Sequence, residues 1–329
     1  MTAIAPTLES WFTDRLGRQR QASPRTIASY RDTLRLLVCF MHARTGKAPS
    51  SLDWDDLNDK AISAFLDHLE TKRHNGPRTR NLRLTAIRSL FRYAALRHPE
   101  HAAVIQRVLA IPAKRFSKAT VSFLSAEEAA ALIDAPDQRR WEGRRDRALL
   151  VLALQTGLRV SELIGLDCAD VVLGTGGHVR CEGKGRKQRA VPLTSSTQQV
   201  LRAWMAERAG RACDPLFPTR TGRRLSPDAI ERRVAIHAAA AAQHCPSLQA
   251  KRLHPHVLRH SCAMSLLQAR VDVAVIALWL GHENVATTQI YLRADLELKQ
   301  RALDRTAPPG TQPGRYQPTD RLLAFLEAL

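Results

Sequence analysis

The sequence predicts a mainly α-helical protein with a small β-sheet, divided into two domains, and three observations carry that expectation. Over roughly the first third of the chain, apolar residues recur at helical spacing. Between Val171 and Leu193 the pattern shortens to strand-like runs split by glycine clusters, after which helical spacing returns. A length of 329 residues suggests two domains, each able to bury its own core.

In the first half, Leu8, Trp11, Phe12 and Leu16 define a helix. Ser23-Pro24 supplies a cap and a proline at the first helical position, and opens a helix with Ile27, Tyr30, Leu34, Leu37 and Met41 inward. A third helix covers Asp59 to Lys72 and is broken by Asn75-Gly76-Pro77. A fourth spans Arg78 to Arg97, stops before Pro99, and is expected to turn Leu82, Ala86, Leu90 and Tyr93 inward. Arg80, Arg83, Arg88 and Arg92 decorate its other faces without balancing acids, whereas salt-bridged surface helices alternate sign. A run of charge is usually a solvated face, but one without acids suits a polyanion. The basic stretch Ile111 to Arg115 reads as a linker, which sets the domains at 1–115 and 116–329.

The second half restarts at Leu124-Ser125-Ala126-Glu127-Glu128, a serine cap with acids in the first turn. A buried helix from Asp146 to Gln155 ends at Thr156-Gly157, and another begins within Leu158 to Leu163. Val171-Val172, His178 to Cys181 and Arg189 to Leu193 are the strand-like runs. Helices return from Thr194, one of them opened by Ser226-Pro227. After the break at Pro308 to Gly314, Asp320 to Leu329 reads as a short amphipathic tail helix.

Composition narrows the function. Lys and Arg number 50 against 31 Asp and Glu, a net charge of +19, and a polyanion is the usual partner for such an excess. Residues 1–115 carry 20 basic and 10 acidic side chains and residues 116–329 carry 30 and 21, so +10 and +9: both halves are basic. The longest apolar run, Ala148 to Leu154, is far short of the roughly 20 residues of a spanning helix, so no membrane role is expected. The first 21 residues lack the apolar centre of a signal peptide. Six scattered cysteines without a C-x-x-C pair read as reduced, buried thiols in a cytoplasmic protein.

Four features bear on chemistry: Arg159 at a glycine-broken helix junction; Lys184 in the turn Gly183 to Arg189; His254-Pro255-His256-Val257-Leu258-Arg259-His260; and Leu280-Gly281-His282 followed by Tyr291. Each alone has a plainer reading, as a surface ion pair, a solvated turn, a chance helix face or a core aromatic. Together they are the parts of a phosphoryl-transfer site that uses no metal. Two arginines clamp phosphodiester oxygens, a lysine protonates a leaving alkoxide, and histidines move or donate protons. A tyrosine can be the nucleophile, its pKa near 10 lowered by neighbouring cations. No acidic cluster of the two-metal kind is visible.

Over nearly its full length the chain resembles a tyrosine recombinase of the phage integrase family. The family's catalytic order, Arg, Lys, His-x-x-Arg, His, Tyr, is met by Arg159, Lys184, His256, Arg259, His282 and Tyr291. The flanks match as well: T-G-L-R-x-S-E-L around Arg159, H-x-L-R-H-S around Arg259, and L-G-H-E-N-x-x-T-T-Q-I-Y up to Tyr291.

The resemblance implies that Tyr291 attacks the scissile phosphate, forming a 3′-phosphotyrosine and freeing a 5′-hydroxyl. Arg159 and Arg259 would bind the phosphate oxygens, and Lys184 would protonate the leaving 5′-oxygen. His256 would serve as general base or proton relay, His282 would stabilise the transition state, and Glu162 would orient the site. Neither metal nor cofactor is implied. Arg80, Arg83, Arg88 and Arg92, with Arg186 and Lys187 of the turn, would hold the DNA backbone nearby.

The fold implied is an N-terminal SAM-like helical core-binding domain plus a mixed α/β catalytic domain of the DNA breaking-rejoining type, closing on double-stranded DNA as a clamp. The implied partners are four copies of the chain on two DNA sites, with accessory recombinases or DNA-bending proteins. The tail around Asp320 to Leu329 suits docking on a neighbouring subunit or on its own domain equally well.

Motif spacing is similar to Xer-type dimer resolvases. However, Leu292-Arg293 follows Tyr291 where those proteins have Thr-His, and no arm-binding domain is expected ahead of the first helix. That departure favours an integrase or transposase of a mobile element. Two rivals are a catalytically silent DNA-binding protein on the same fold and a zinc enzyme using His254, His256 and His260, whose spacing on a helix does not readily converge on one ion.

Overall fold

The structure, a computed structural model, describes residues 3–116, 121–183, 187–208, 214–282, 287–288 and 290–291. The chain divides into two compact units, Met1–Lys118 and Ala119–Leu329, the break falling just after the basic stretch Ile111 to Arg115.

The first unit is helical: α1 (Ala5–Ser10), continued by a π-helical stretch Trp11–Gln19, then α2 (Pro24–Thr45), α3 (Asp59–Thr71), α4 (Pro77–Ala94) and α5 (Ala102–Ala110). Its helix starts are chemically marked. The Ser23 hydroxyl accepts from the Thr26 N–H at 3.2 Å and the Asn58 side chain from the Ala61 N–H at 3.0 Å, caps that contribute about 1 kcal/mol each. The inward stripes enclose a core around Trp11, Trp54, Phe65 and Phe91. Sequence periodicity leaves α5 unassigned; its Ile105 and Val108 close that core.

Helix α4 corrects two expectations. Its buried face runs through Leu84, Ala86, Ile87, Leu90, Phe91 and Tyr93, while Leu82 is 61% exposed. The same phase turns Arg80 inward, only 6% exposed, where it pairs with Glu70 of α3 at 3.5 Å. The balancing acid that α4 lacks is thus supplied by its neighbour.

The second unit holds α6 (Ala126–Asp134), α7 (Trp141–Thr156), α8 (Val160–Gly165), β1 (Val171–Val172), β2 (His178–Glu182), β3 (Gln188–Pro192), α9 (Ser195–Arg208), α10 (Pro227–Ala241), α11 (Pro255–Gln268) and α12 (Val273–Leu280). The sheet is antiparallel in the order β1-β2-β3, and its register sets Val179 opposite Val191 and Cys181 opposite Arg189. Ser125 and Glu128 close a capping box at α6. Helix α7 runs through the core, burying Ala148, Leu149, Leu150, Leu152 and Ala153, which explains its apolar character on several faces. Buried Asp146 ties α7 to α10 by accepting from Arg233 at 2.8 Å and His237 at 2.9 Å.

Cys168, Cys181 and Cys262 are buried free thiols, but Cys39 is exposed and Cys245 half-buried, against the expectation of burial. Cys213 and the tail from Asp320 to Leu329 lie outside the described residues. Among those described, no helix is long and apolar enough to cross a membrane.

Candidate active site

The site is built where helices end. Helix α7 stops at Gly157, whose φ of 62° is the left-handed conformation that ends a helix. A Cβ at Gly157 would stand 2.6 Å from Leu280 Cδ2 and 3.1 Å from Cys262 Sγ, so glycine also lets α7 abut α11 and α12. Two residues on, Arg159 occupies the N-cap of α8. Helix α12 likewise stops at Gly281 with φ 64°.

The last carbonyls of a helix lack intrahelical partners and carry partial negative charge, which makes them natural seats for cations. Arg259, on α11, donates through Nη1 to the Gly157 carbonyl and through Nη2 to the Leu280 carbonyl, both at 2.7 Å. Arg159 donates through Nη2 to the Gly281 carbonyl at 3.0 Å and through Nη1 to Glu162 Oε1 at 2.8 Å. Both guanidiniums are therefore anchored by the ends of α7 and α12. Arg259 is 5% exposed, whereas the Arg159 side chain keeps 29% of its surface. Burial, followed by the charge of Arg159, lowers Arg259 to about 10, still cationic at neutral pH.

Glu162 is the counter-ion. It accepts from the Arg159 N–H at 2.8 Å and, through both oxygens, from Arg189 Nη1 and Nη2 at 2.9 and 2.8 Å. Burial raises its pKa, but the hydrogen bonds and charges of Arg189 and Arg159 outweigh that and hold it below the ordinary glutamate value. Two guanidiniums thus hold one carboxylate, and with Arg259 nearby the site stays electropositive.

The sequence places Arg189 where the basic turn meets the strand-like run to Leu193 and names no partner for it; its side chain is only 12% exposed. The available signal was strand alternation, which puts Arg189 on the face of buried Val191.

Tyr291 is 2% exposed, packed among Cys262, Met264, Leu267, Ile276 and Leu280. Its hydroxyl lies 3.0 Å from His260 Nδ1. The rings of His260 and His282 stand 5.7 and 6.4 Å from the tyrosine ring, that of His282 nearly parallel to it. His282 Nδ1 is 2.8 Å from the Thr288 hydroxyl. The expectation of a lowered tyrosine pKa is corrected. Burial pushes Tyr291 up to about 12, and the opposing pull of Arg259 and Arg159 does not prevail. Burial, with nearby cations, also lowers His260 and His282 to about 4, so both rings are neutral at neutral pH. His256, exposed in the first turn of α11, is lowered by local desolvation and then by His254, Arg259 and Arg159.

Arg159, Arg259, His282 and Tyr291 are thus brought together, with His256 on the same helix as Arg259. Lys184 and Arg186 lie outside the described residues; Lys187 is exposed. Arg83 donates to the Thr33 hydroxyl at 3.0 Å and Arg88 to the Ile111 carbonyl. Of Arg80, Arg83, Arg88 and Arg92 only Arg92 is exposed, lining a cavity of about 310 Å³ with Arg15, Arg20 and Arg97. The buried Arg80 cannot meet a DNA backbone, which corrects its assignment. Among the described residues no group of three or more His, Cys, Asp or Glu side chains is placed to hold a metal ion.

The family model for the phage integrase family matches residues 122–297, and the one for the phage integrase N-terminal SAM-like domain matches residues 10–98. The chain belongs to the phage integrase family. Among its relatives is a protein of Sinorhizobium fredii (strain NBRC 101917 / NGR234) bearing the name integrase/recombinase y4rC, 52% identical over 99% of this chain and 98% of that protein. The tyrosine recombinase XerC of Azotobacter vinelandii (strain DJ / ATCC BAA-1303) is 34% identical over 90% of this chain and 94% of that one. A solved structure of the XerH site-specific recombinase bound to a palindromic difH substrate shares the fold. Its TM-score is 0.67 at 24% identity, covering 86% of this chain and 81% of that one. As a phage integrase family member the chain is a tyrosine recombinase, an enzyme that transfers DNA strands.

Proposed function

We propose that this recombinase cuts and rejoins double-stranded DNA through a covalent 3′-phosphotyrosine on Tyr291, serving the integration, excision or transposition of a mobile element. The observation that carries this reading is the convergence of two carbonyl-anchored guanidiniums with a tyrosine flanked by two neutral histidines. Arg159 and Arg259 grip the non-bridging phosphate oxygens and offset charge that grows in the transition state. Lys184 protonates the leaving 5′-oxygen, His256 relays protons and His282 donates to the phosphate. The phosphotyrosine retains the energy of the broken bond, so a new 5′-hydroxyl can be joined without ATP.

Residues 1–115 act as the core-binding domain and 116–329 as the catalytic domain. Four copies assemble on two sites in the cytoplasm, where accessory recombinases or DNA-bending proteins set the direction. A nicked suicide duplex made from the DNA flanking the gene tests this reading. Wild-type protein should become trapped on it and Tyr291→Phe should not, and an adduct that survives the substitution would sink the assignment.

A second reading, resolution of chromosome or plasmid dimers, is favoured by the 34% identity to a XerC protein over 90% of the chain. Cleavage mapped to the ends of a mobile element supports the first reading; cleavage confined to a chromosomal dimer-resolution site supports the second.

A further inference from the structure

We propose that His260, rather than His256, is the catalytic group that takes the proton from Tyr291 as the phenol attacks phosphorus. This rests on the reading of Tyr291 as the nucleophile. His260 Nδ1 stands 3.0 Å from the tyrosine oxygen, within direct proton-transfer distance. The proposed step requires the phenol to donate that hydrogen bond, with Nδ1 bare and the ring proton on Nε2. No hydrogen bond joins His256 to Tyr291 among the described residues, and His282 directs its Nδ1 to Thr288. The tyrosine is 2% exposed among apolar side chains, which leaves little room for water as the acceptor.

Placement on the chain reinforces the assignment. His260 follows Arg259 directly on α11, and the Arg259 guanidinium is fixed at both ends by main-chain carbonyls. One helical turn therefore carries a phosphate-binding cation and the contact to the attacking oxygen, the positional economy that a near-attack geometry needs.

At rest the proton stays on the phenol, because burial disfavours both the phenolate and the imidazolium. The charged and titratable groups around His260 are His254, His256 and Arg259 at the start of α11, His282 beyond α12, and Tyr291. The charge of Arg259, with that of His256 and His254 when protonated, opposes protonation of the ring. A phosphodiester seated on Arg159 and Arg259 brings negative charge that offsets this, so DNA binding itself makes His260 the stronger base.

The step balances. The Tyr291 oxygen bonds to phosphorus, its proton moves to His260 Nδ1, and the P–O5′ bond breaks with its electron pair on the 5′-oxygen, which takes a proton from Lys184. In the rejoining step a 5′-hydroxyl attacks, Lys184 is reprotonated, and Tyr291 leaves with the proton from His260.

The test uses the full chain and the nicked duplex, made either with the normal phosphodiester or with sulfur replacing the bridging 5′-oxygen, a leaving group that needs no proton. His260→Ala should slow adduct formation about 100-fold on both substrates, and the deficit should shrink as pH rises and the phenol ionises unaided. His260→Asn, whose amide oxygen can accept the hydrogen bond but not the proton, should remain slow. Three results would overturn the proposal: a wild-type rate in His260→Asn, rescue of His260→Ala by the sulfur substrate, or a faster His260→Ala enzyme, which would make the histidine a restraint on the tyrosine. Absence of any Tyr291-dependent adduct in the wild type would instead defeat the nucleophile reading itself.

Discussion

Arg189 holds both oxygens of Glu162, at 2.9 and 2.8 Å, and so ties strand β3 to the helix that Arg159 opens. Removing Arg189 leaves buried Glu162 with Arg159 as its remaining cationic partner, so the cost falls below the roughly 3–5 kcal/mol of a fully broken buried pair. Arg189→Ala should still lower the urea midpoint of the second unit. In a double-mutant cycle, Glu162→Gln added to Arg189→Ala should cost much less than the sum of the singles. Additive losses would show that the pair is not coupled.

Gly157→Ala should harm both stability and cleavage. The backbone conformation there is left-handed and a methyl group would meet Leu280, a combination that costs about 1–3 kcal/mol. Relief of the clash moves the carbonyl that seats Arg259, so the adduct-forming rate should fall further than the melting temperature alone accounts for. A purely thermal defect, with full activity at low temperature, would count against that linkage.

Acidification should weaken the fold in two stages. His260 and His282 titrate near 4 in the folded chain against 6.5 when free, because burial and nearby cations oppose their protonation. The unfolded state then binds more protons, so this contribution is whole above about pH 6.5 and is lost as pH falls through about 4. Glu162 acts in the same sense lower down. Its folded pKa lies below the free value of 4.5, so its contribution is whole above 4.5 and disappears below that as the carboxylate protonates. Urea titrations across this range check the trend, and His260→Phe should flatten the upper stage. An unchanged slope in that variant would exclude the histidine.

Chelation should change nothing. Since the proposed chemistry uses side chains alone, adduct formation in excess EDTA should match the untreated rate. A loss restored by a divalent ion would require another mechanism.

Arg92 and Arg80 should part company in DNA binding. Arg92→Ala removes an exposed cation and should reduce the salt slope of binding by about 1. Arg80→Ala, by emptying a buried position packed beside Glu70, should lower the stability of the first unit and leave that slope alone. Equal slopes for both variants would remove Arg92 from the interface.

Sequence alone made much of this legible because its signals were local. Ser23-Pro24, Ser125 with Glu128 and Ser226-Pro227 all open helices as read, and the glycine-split runs form the three-stranded sheet. The catalytic candidates followed from order and flanks. What failed was phase and partnership. Leu82 and Arg80 exchanged faces because a single helix pattern does not say which neighbour packs on it. Arg189 opens a strand-like run, but the run does not say that its side chain meets Glu162. The Tyr291 pKa was judged from the nearby cations, but desolvation depends on a cavity assembled from α11 and α12, which no linear motif encodes.

Arg159 and Arg259 both lean on main-chain oxygens, those of residues 157, 280 and 281. A peptide carbonyl cannot be deleted by changing a side chain. The two seats thus tolerate drift in nearly every neighbour, provided the backbone still turns at Gly157 and Gly281. Polymorphism at these junctions should therefore register as a change of shape, with the loss of an acceptor the rarer event.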